Sequence, residues 1–252
     1  MNRIDLNCDM GEIPEAIADG TQEALMRAVT SVNIACGGHA GDEATMKTTI
    51  EQALRAKVAI GAHPGYPDRE NFGRLELKMP PEAIANSIFE QVRALAKVAT
   101  ACKAPVAHVK PHGALYNQAV HDRALAETIA KAVARWSTQV VLVGLAGSLM
   151  IDVFRDAGFS VAAEAFADRR YEPDGTLRSR KFDDALIRDP REAAKQALSI
   201  AQRGVVIAHD GTEVKLTAQS ICIHGDTPGA PQIAAAVART LRDTGVAVAA
   251  LS

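Results

Sequence analysis

Val32-Asn33-Ile34-Ala35-Cys36 runs directly into Gly37-Gly38-His39-Ala40-Gly41-Asp42. A short apolar run of this kind reads as a buried strand, and its polar, glycine-rich exit reads as a loop at the strand's carboxyl end. The same design recurs along the chain. Ile4-Asp5-Leu6-Asn7-Cys8 leads into Asp9-Met10-Gly11-Glu12, Val58-Ala59-Ile60-Gly61-Ala62 into His63-Pro64-Gly65-Tyr66-Pro67-Asp68, and Val106-Ala107-His108-Val109 into Lys110-Pro111-His112-Gly113. Val161-Ala162-Ala163 precedes Glu164-Ala165-Phe166-Ala167-Asp168-Arg169-Arg170-Tyr171, and Ile221-Cys222-Ile223 precedes His224-Gly225-Asp226. Chemistry-bearing side chains at the carboxyl ends of buried strands mark the active face of an α/β barrel or open sheet.

Helical patterns fill the spaces between these runs. Asp42 is placed to cap a helix to Ala56, with Met46, Ile50, Ala53 and Leu54 on one face. Pro80-Pro81 opens a long helix to about Ala101, striped by Ile84, Ile88, Val92, Leu95 and Val98. Further helices are expected over 22–30, 122–136, up to Ala157, 190–203 and 231–244. A seventh strand is expected at 139–144, a closing strand at 246–251, and a short hairpin within 205–219 about Asp210-Gly211. This alternation predicts an α/β fold, an irregular TIM-like (β/α)7-type barrel spanning 1–252 as one domain. Neither GxGxxG after the first strand nor GxxxxGK[ST] occurs, which argues against a nucleotide-binding sheet. Glu172 to Arg180 is turn-rich and reads as a mobile loop over the site.

Composition narrows the functional classes. The 28 basic and 30 acidic residues give a net charge of -2, so no basic excess points to nucleic acid. No apolar stretch approaches the roughly 20 residues of a membrane span, and no signal core opens the chain. Cys8, Cys36, Cys102 and Cys222 show no CxxC spacing, which fits a reducing cytoplasm better than a disulfide framework. There is no GxSxG elbow; Cys36 is the only thiol expected near the active face.

The strand-end residues supply the candidate chemistry. Asp9 and Glu12 can divide acid–base and cation-orienting roles, although Glu12 also suits a helix cap. His39, His63 and His112 leave different strand ends, so they can form a metal site or an acid–base set, and Asp9 with His39 and His63 would make an open facial metal triad. Lys110 can hold an anion or polarise a carbonyl, or form a buried salt bridge to Asp9 or Asp226. Asp226 is a further candidate base or helix cap. Arg74, Arg169, Arg170, Arg178 and Arg180 fall in loops and suit carboxylate or phosphate recognition. His121 is expected at the surface; His108 and His209 have no assigned role.

Taken in order, these motifs resemble the LamB/YcsF family, the A subunits of 5-oxoprolinase. The resemblance rests on Asp5 to Glu12, Ser31 to Asp42, Gly61 to Asp68, His108 to Asn117, Glu164 to Tyr171 and Ile221 to Pro228, and so covers nearly the whole chain. It implies a barrel related to the glycoside hydrolase/deacetylase superfamily. It implies ATP-dependent hydrolysis of 5-oxo-L-proline to L-glutamate, yielding ADP and phosphate, together with the B and C partner subunits of 5-oxoprolinase. On that reading Asp9, Glu12, His63, Lys110, His112 and Asp226 are the catalytic candidates. Asn7, His39, Arg74, Asp168, Arg169 and Arg180 are the substrate-binding candidates, and a divalent metal is an open option. After Asp68 the family usually reads Gly-Phe-Gly-Arg-Arg, whereas this chain has Asn71-Phe72-Gly73-Arg74-Leu75. The loop after Glu12 also lacks the family's glycine-containing run. Two other readings fit the same residues: a metal-dependent amide or carbohydrate deacetylase, and a non-catalytic substrate-binding subunit of a complex.

Overall fold

A computed structural model describes residues 3–251. Its strands are β1 (Arg3–Met10), β2 (Ser31–Ala35), β3 (Ala59–His63), β4 (Val106–Val109), β5 (Val141–Leu145), β6 (Ser160–Phe166), β7 (Val205–Ile207), β8 (Glu213–Lys215), β9 (Ser220–Cys222) and β10 (Ala247–Val248). Strands β1 to β6 pair in chain order, all parallel, and β9 lies between β6 and β1. The result is a closed seven-stranded parallel barrel with helices outside.

Closure is made by β9, through Asp5↔Ser220 to Asn7↔Cys222, and not by the C-terminal strand. β10 has two residues and pairs only with Arg3 and Ile4, below the point where β9 joins. The expected hairpin is present as antiparallel β7 and β8, outside the barrel. Two short helices, Pro14–Ala18 and Gly113–Ala119, were not expected.

Two residue periods build this architecture. Along β1, Ile4, Leu6, Cys8 and Met10 join the hydrophobic core, whereas Asp5, Asn7 and Asp9 contact residues of other strands across the lumen. The long helix Pro81–Ala101 buries its Ile84, Ile88, Val92, Leu95 and Val98 stripe. Asp42 caps the helix Glu43–Ala56, its side chain accepting from the Thr45 amide at 2.8 Å.

The lumen is polar and cross-linked. Asp5 accepts from Ser31 and Ser220 near its floor, and burial raises the pKa of the Asp5 carboxyl. One level higher, Asn7 donates to Glu164 at 2.8 Å and accepts from Asn33 at 2.7 Å. His108 Nε2 lies 2.8 Å from Asn33 Oδ1, and its ring occupies the space where a side chain on Gly61 would go. The hydrogen bonds of these buried side chains run between different strands, which fixes the barrel's register.

Candidate active site

The third level of the lumen opens at the carboxyl ends of the strands into a cavity of about 570 Å³. Asp9 ends the inward row of β1. Lys110, just past β4, places Nζ 2.9 Å from Asp9 Oδ1, 3.1 Å from Glu164 Oε1 and 3.2 Å from both Asn7 Oδ1 and Cys222 Sγ. Burial disfavours both charges, but Asp9 and Glu164 outweigh it at Lys110 and raise its pKa. For Asp9 burial is likewise overcome, by His63 and Lys110, so its carboxyl stays well below the usual carboxylate range. The buried salt bridge expected for Lys110 forms with Asp9 and extends to Glu164, with Tyr116 donating to the other Glu164 oxygen at 3.0 Å.

Beside this network stand three imidazoles and Glu12. His63 Nδ1 lies 2.7 Å from the Lys110 carbonyl and His112 Nε2 lies 2.9 Å from the Phe72 carbonyl. A carbonyl only accepts, so these nitrogens carry the protons. The remaining atoms, His63 Nε2 and His112 Nδ1, face each other at 3.0 Å. Glu12 Oε1 lies 2.8 Å from His39 Nε2, 3.2 Å from His112 Nδ1 and 3.7 Å from His63 Nε2. Burial opposes Glu12 ionisation, but His112 and His39 bring its pKa far down. At His39 burial outweighs the pull of Glu12 and pushes the pKa down to about 4. His39 stacks on His112 with centroids 3.6 Å apart, and its Nδ1 has no hydrogen-bond partner among the described residues.

A cationic rim faces these groups. Arg74, from the segment after β3, and Arg180, from the segment after β6, both reach Asp226, at 2.5 and 2.8 Å. Burial would raise the Asp226 pKa, but His224, Arg180 and Arg74 bring it to about 2. Arg169 is buried beneath the rim, where it donates to the Arg178 carbonyl, and its Nε has no partner among the described residues. Burial and Arg180 push its pKa down to about 10. Asp168 accepts from the His224 ring, from the His224 backbone amide and from Thr227, fixing a ring that stacks on Phe166.

Asp9, Glu12, His63, Arg74, Lys110, His112, Arg169, Arg180 and Asp226 all line the cavity. Asn7, His39 and Asp168 do not: they stand behind its wall, where they hold Lys110, Glu12 and His224. Asp226, expected as a base, is tied up by two arginines. The converging metal-type donors are Glu12, His39, His63 and His112, while Asp9 falls in an adjoining group with Cys222 and His224. Glu12 caps no helix; the following helix starts at Pro14 after Ile13. Burial pushes the Cys36 thiol up to about 12, which removes it as a nucleophile. The 172–180 segment does cover the cavity, but it is tied down by the Tyr171↔Leu177 bridge and by Arg178 to Glu172 and Asp184. Glu164, Tyr116 and His224 escaped the sequence reading. Glu164 and His224 carried a signal, since each ends a strand run; Tyr116, inside a helix, carried none.

The chain is 52% identical over 248 residues to the A subunit of 5-oxoprolinase from Chloroflexus aggregans, covering 98% of both chains. It is 47% identical to that of Methylococcus capsulatus, covering 98% of this chain and 95% of the relative. The crystal structure of a lactam utilization protein from Thermus thermophilus superposes with a TM-score of 0.91 at 40% identity, covering 99% of this chain and all of that one. A family 4 carbohydrate esterase from Streptomyces lividans has a TM-score of 0.53 at 11% identity, covering 100% of this chain and 93% of that one; this likeness shows a shared fold only. The model of the LamB/YcsF family matches residues 4–252, and with relatives near half identity over almost the full length, the chain belongs to the LamB/YcsF family.

Proposed function

We propose that this chain is the lactam-opening component of an ATP-dependent 5-oxoprolinase, which converts 5-oxo-L-proline to L-glutamate while ATP becomes ADP and phosphate, and that it works with the B and C partner subunits in the cytoplasm. The observation that carries the reading is one cavity that sets an ionised, buried Asp9 opposite an arginine rim. The names of the relatives support it, as does the lactam utilization protein of the same fold. No helix among the described residues is long and apolar enough to cross a membrane, and the four cysteines are free.

A five-membered lactam is a stable amide, so hydrolysis needs its carbonyl oxygen turned into a leaving group. Transfer of the γ-phosphoryl group of ATP to that oxygen does this, and positioning then dominates the remaining barrier. Arg74 and Arg180 suit the substrate carboxylate, which would compete with Asp226 for them. Arg169, a buried cation in no ion pair among the described residues and with an unpartnered Nε, suits the phosphorylated oxygen. Asp9 orients the attacking water, and Lys110 and Asn33 keep that carboxylate in place at 2.9 and 2.8 Å. Attack of this water at the ring carbon and cleavage of the ring C–N bond, with a proton passing to the leaving nitrogen, give γ-glutamyl phosphate, and a second water cleaves that acyl phosphate to glutamate and phosphate.

The test is glutamate and ADP release from 5-oxoproline and ATP, using this chain with its B and C partners. Asp9→Asn is expected to lower the rate at least about a hundredfold. Full activity in that variant, or in a mixture lacking this chain, overturns the reading.

A further inference from the structure

Glu12 Oε1 and one nitrogen each of His39, His63 and His112 converge next to Asp9. His63 and His112 each direct one ring nitrogen to a backbone carbonyl and the other toward its neighbour at 3.0 Å. Glu12 Oε1 sits within 2.8 to 3.7 Å of all three rings. A proton on one ring satisfies these atoms pair by pair; a cation at their centre satisfies all of them at once.

The spacing can be tested against coordination geometry. Metal–nitrogen and metal–oxygen bonds of about 2.0–2.1 Å in a tetrahedron put neighbouring donors about 3.3 Å apart. The measured edges are 2.8, 3.0, 3.2 and 3.7 Å, which bracket that value, and all the donor atoms lie within 4.8 Å of one another. The carbonyls behind His63 and His112 fix tautomer and ring orientation in the way ligand histidines require. Gly65 and Gly73 leave room for the stack, since a Cβ on Gly73 would lie 2.8 Å from His39 Cβ.

We propose that Glu12, His39, His63 and His112 form a binding site for one divalent transition-metal ion of the zinc or cobalt class. Three imidazoles and one carboxylate favour such ions over magnesium or calcium, which prefer oxygen. The site stands independently of the lactam reading. Glu12 takes the carboxylate place that the strand ends suggested for Asp9; Asp9, held by Lys110 and Asn33 at 2.9 and 2.8 Å, stands next to the site with Oδ2 3.3 Å from His63 Nε2.

The experiment is titration of the chelator-treated, full-length chain with Co(II) and Zn(II), by calorimetry and visible absorption. The expected result is one ion per chain, a Co(II) ligand-field spectrum without a thiolate charge-transfer band, and affinity lowered more than about tenfold in His112→Ala. Cys222→Ser should bind as the wild type does. If His112→Ala does not fold by circular dichroism, His39→Gln carries the same comparison. Absence of saturable binding by the folded wild type overturns the proposal in favour of a shared proton. A thiolate band that vanishes in Cys222→Ser overturns it in favour of the Asp9, Cys222 and His224 group.

Discussion

Lys110→Met removes the single cation that holds the upper lumen together. Nζ bridges Asp9 and Glu164 at 2.9 and 3.1 Å, and all three side chains are almost wholly buried. Without it two carboxylates face a low-dielectric interior, each hydrogen-bonded but with no ammonium between them. Breaking a buried pair from one side costs about 3–5 kcal/mol, which for a chain of this length lowers the melting temperature by roughly 10 °C. The Glu164 charge is then the liability, so Lys110→Met/Glu164→Gln should be more stable than Lys110→Met alone. The amide oxygen at position 164 can take the place of Oε1 and accept from Asn7, while the amide NH2 takes the place of Oε2 and donates to the Tyr116 hydroxyl. The deficit of the single variant should also shrink on acidification. A carboxyl forced to keep its proton in the folded state has a raised folded pKa, so its contribution is largest below the unfolded pKa and is lost as pH rises. Urea melts at pH 7 and pH 5 measure both effects. A loss below about 1 kcal/mol, or a double variant no better than the single, would refute the view that Lys110 compensates these two charges. Activity gives a separate readout: the double variant should regain stability without regaining turnover, because Asp9 has lost its partner.

Two further expectations concern the middle of the lumen. Gly61→Ala would place a Cβ 2.1 Å from His108 Nε2 in a ring already held by Asn33, so the variant should lose about 2–4 kcal/mol. Combining it with His108→Ala should cost clearly less than the sum of the singles, whereas additive urea melts would contradict the contact. Burial pushes the His108 pKa down to about 3, so the folded state keeps this ring neutral while the unfolded chain titrates near 6.5. Stability from this residue is therefore full above about pH 6.5 and declines as pH falls toward 3, by about 2 kcal/mol between pH 7 and pH 5. His108→Asn should flatten that part of the profile, and an unchanged slope would exclude His108 as its source.

The barrel was legible because parallel strands buried on both faces produce short apolar runs, and because their carboxyl-end loops carry polar residues. Every barrel strand lies where such a run occurs. Closure was not legible. Val246 to Leu251 is more apolar than Ser220-Ile221-Cys222, yet the shorter run closes the barrel, because its serine meets Asp5 and Asn7 in the lumen while β10 reaches only the first residues of β1. Apolarity locates strands; complementary polar partners chose this one's neighbours.

The same distinction separates what the sequence disclosed of the site from what it hid. Asp9, His63, Lys110 and His112 could be found one at a time, because each ends a strand run. Of their partners only Asn7 was named, as a substrate-binding candidate through the family resemblance. A polar residue alternating with apolar ones, such as Asn33 or His108, reads in a linear chain as a solvent-facing position. In a closed barrel that face is the lumen, so the same pattern becomes an internal hydrogen-bonded column supporting the catalytic level. The arginines show the converse limit. Arg74 and Arg180 were candidate anion ligands from residue type alone, but they lie 106 residues apart and meet only because Asp226 crosses the cavity mouth to both. A carboxylate already seated between the two guanidiniums describes what the rim is shaped to hold. Under the proposed function it makes Asp226 a competitor of the substrate carboxylate for both arginines.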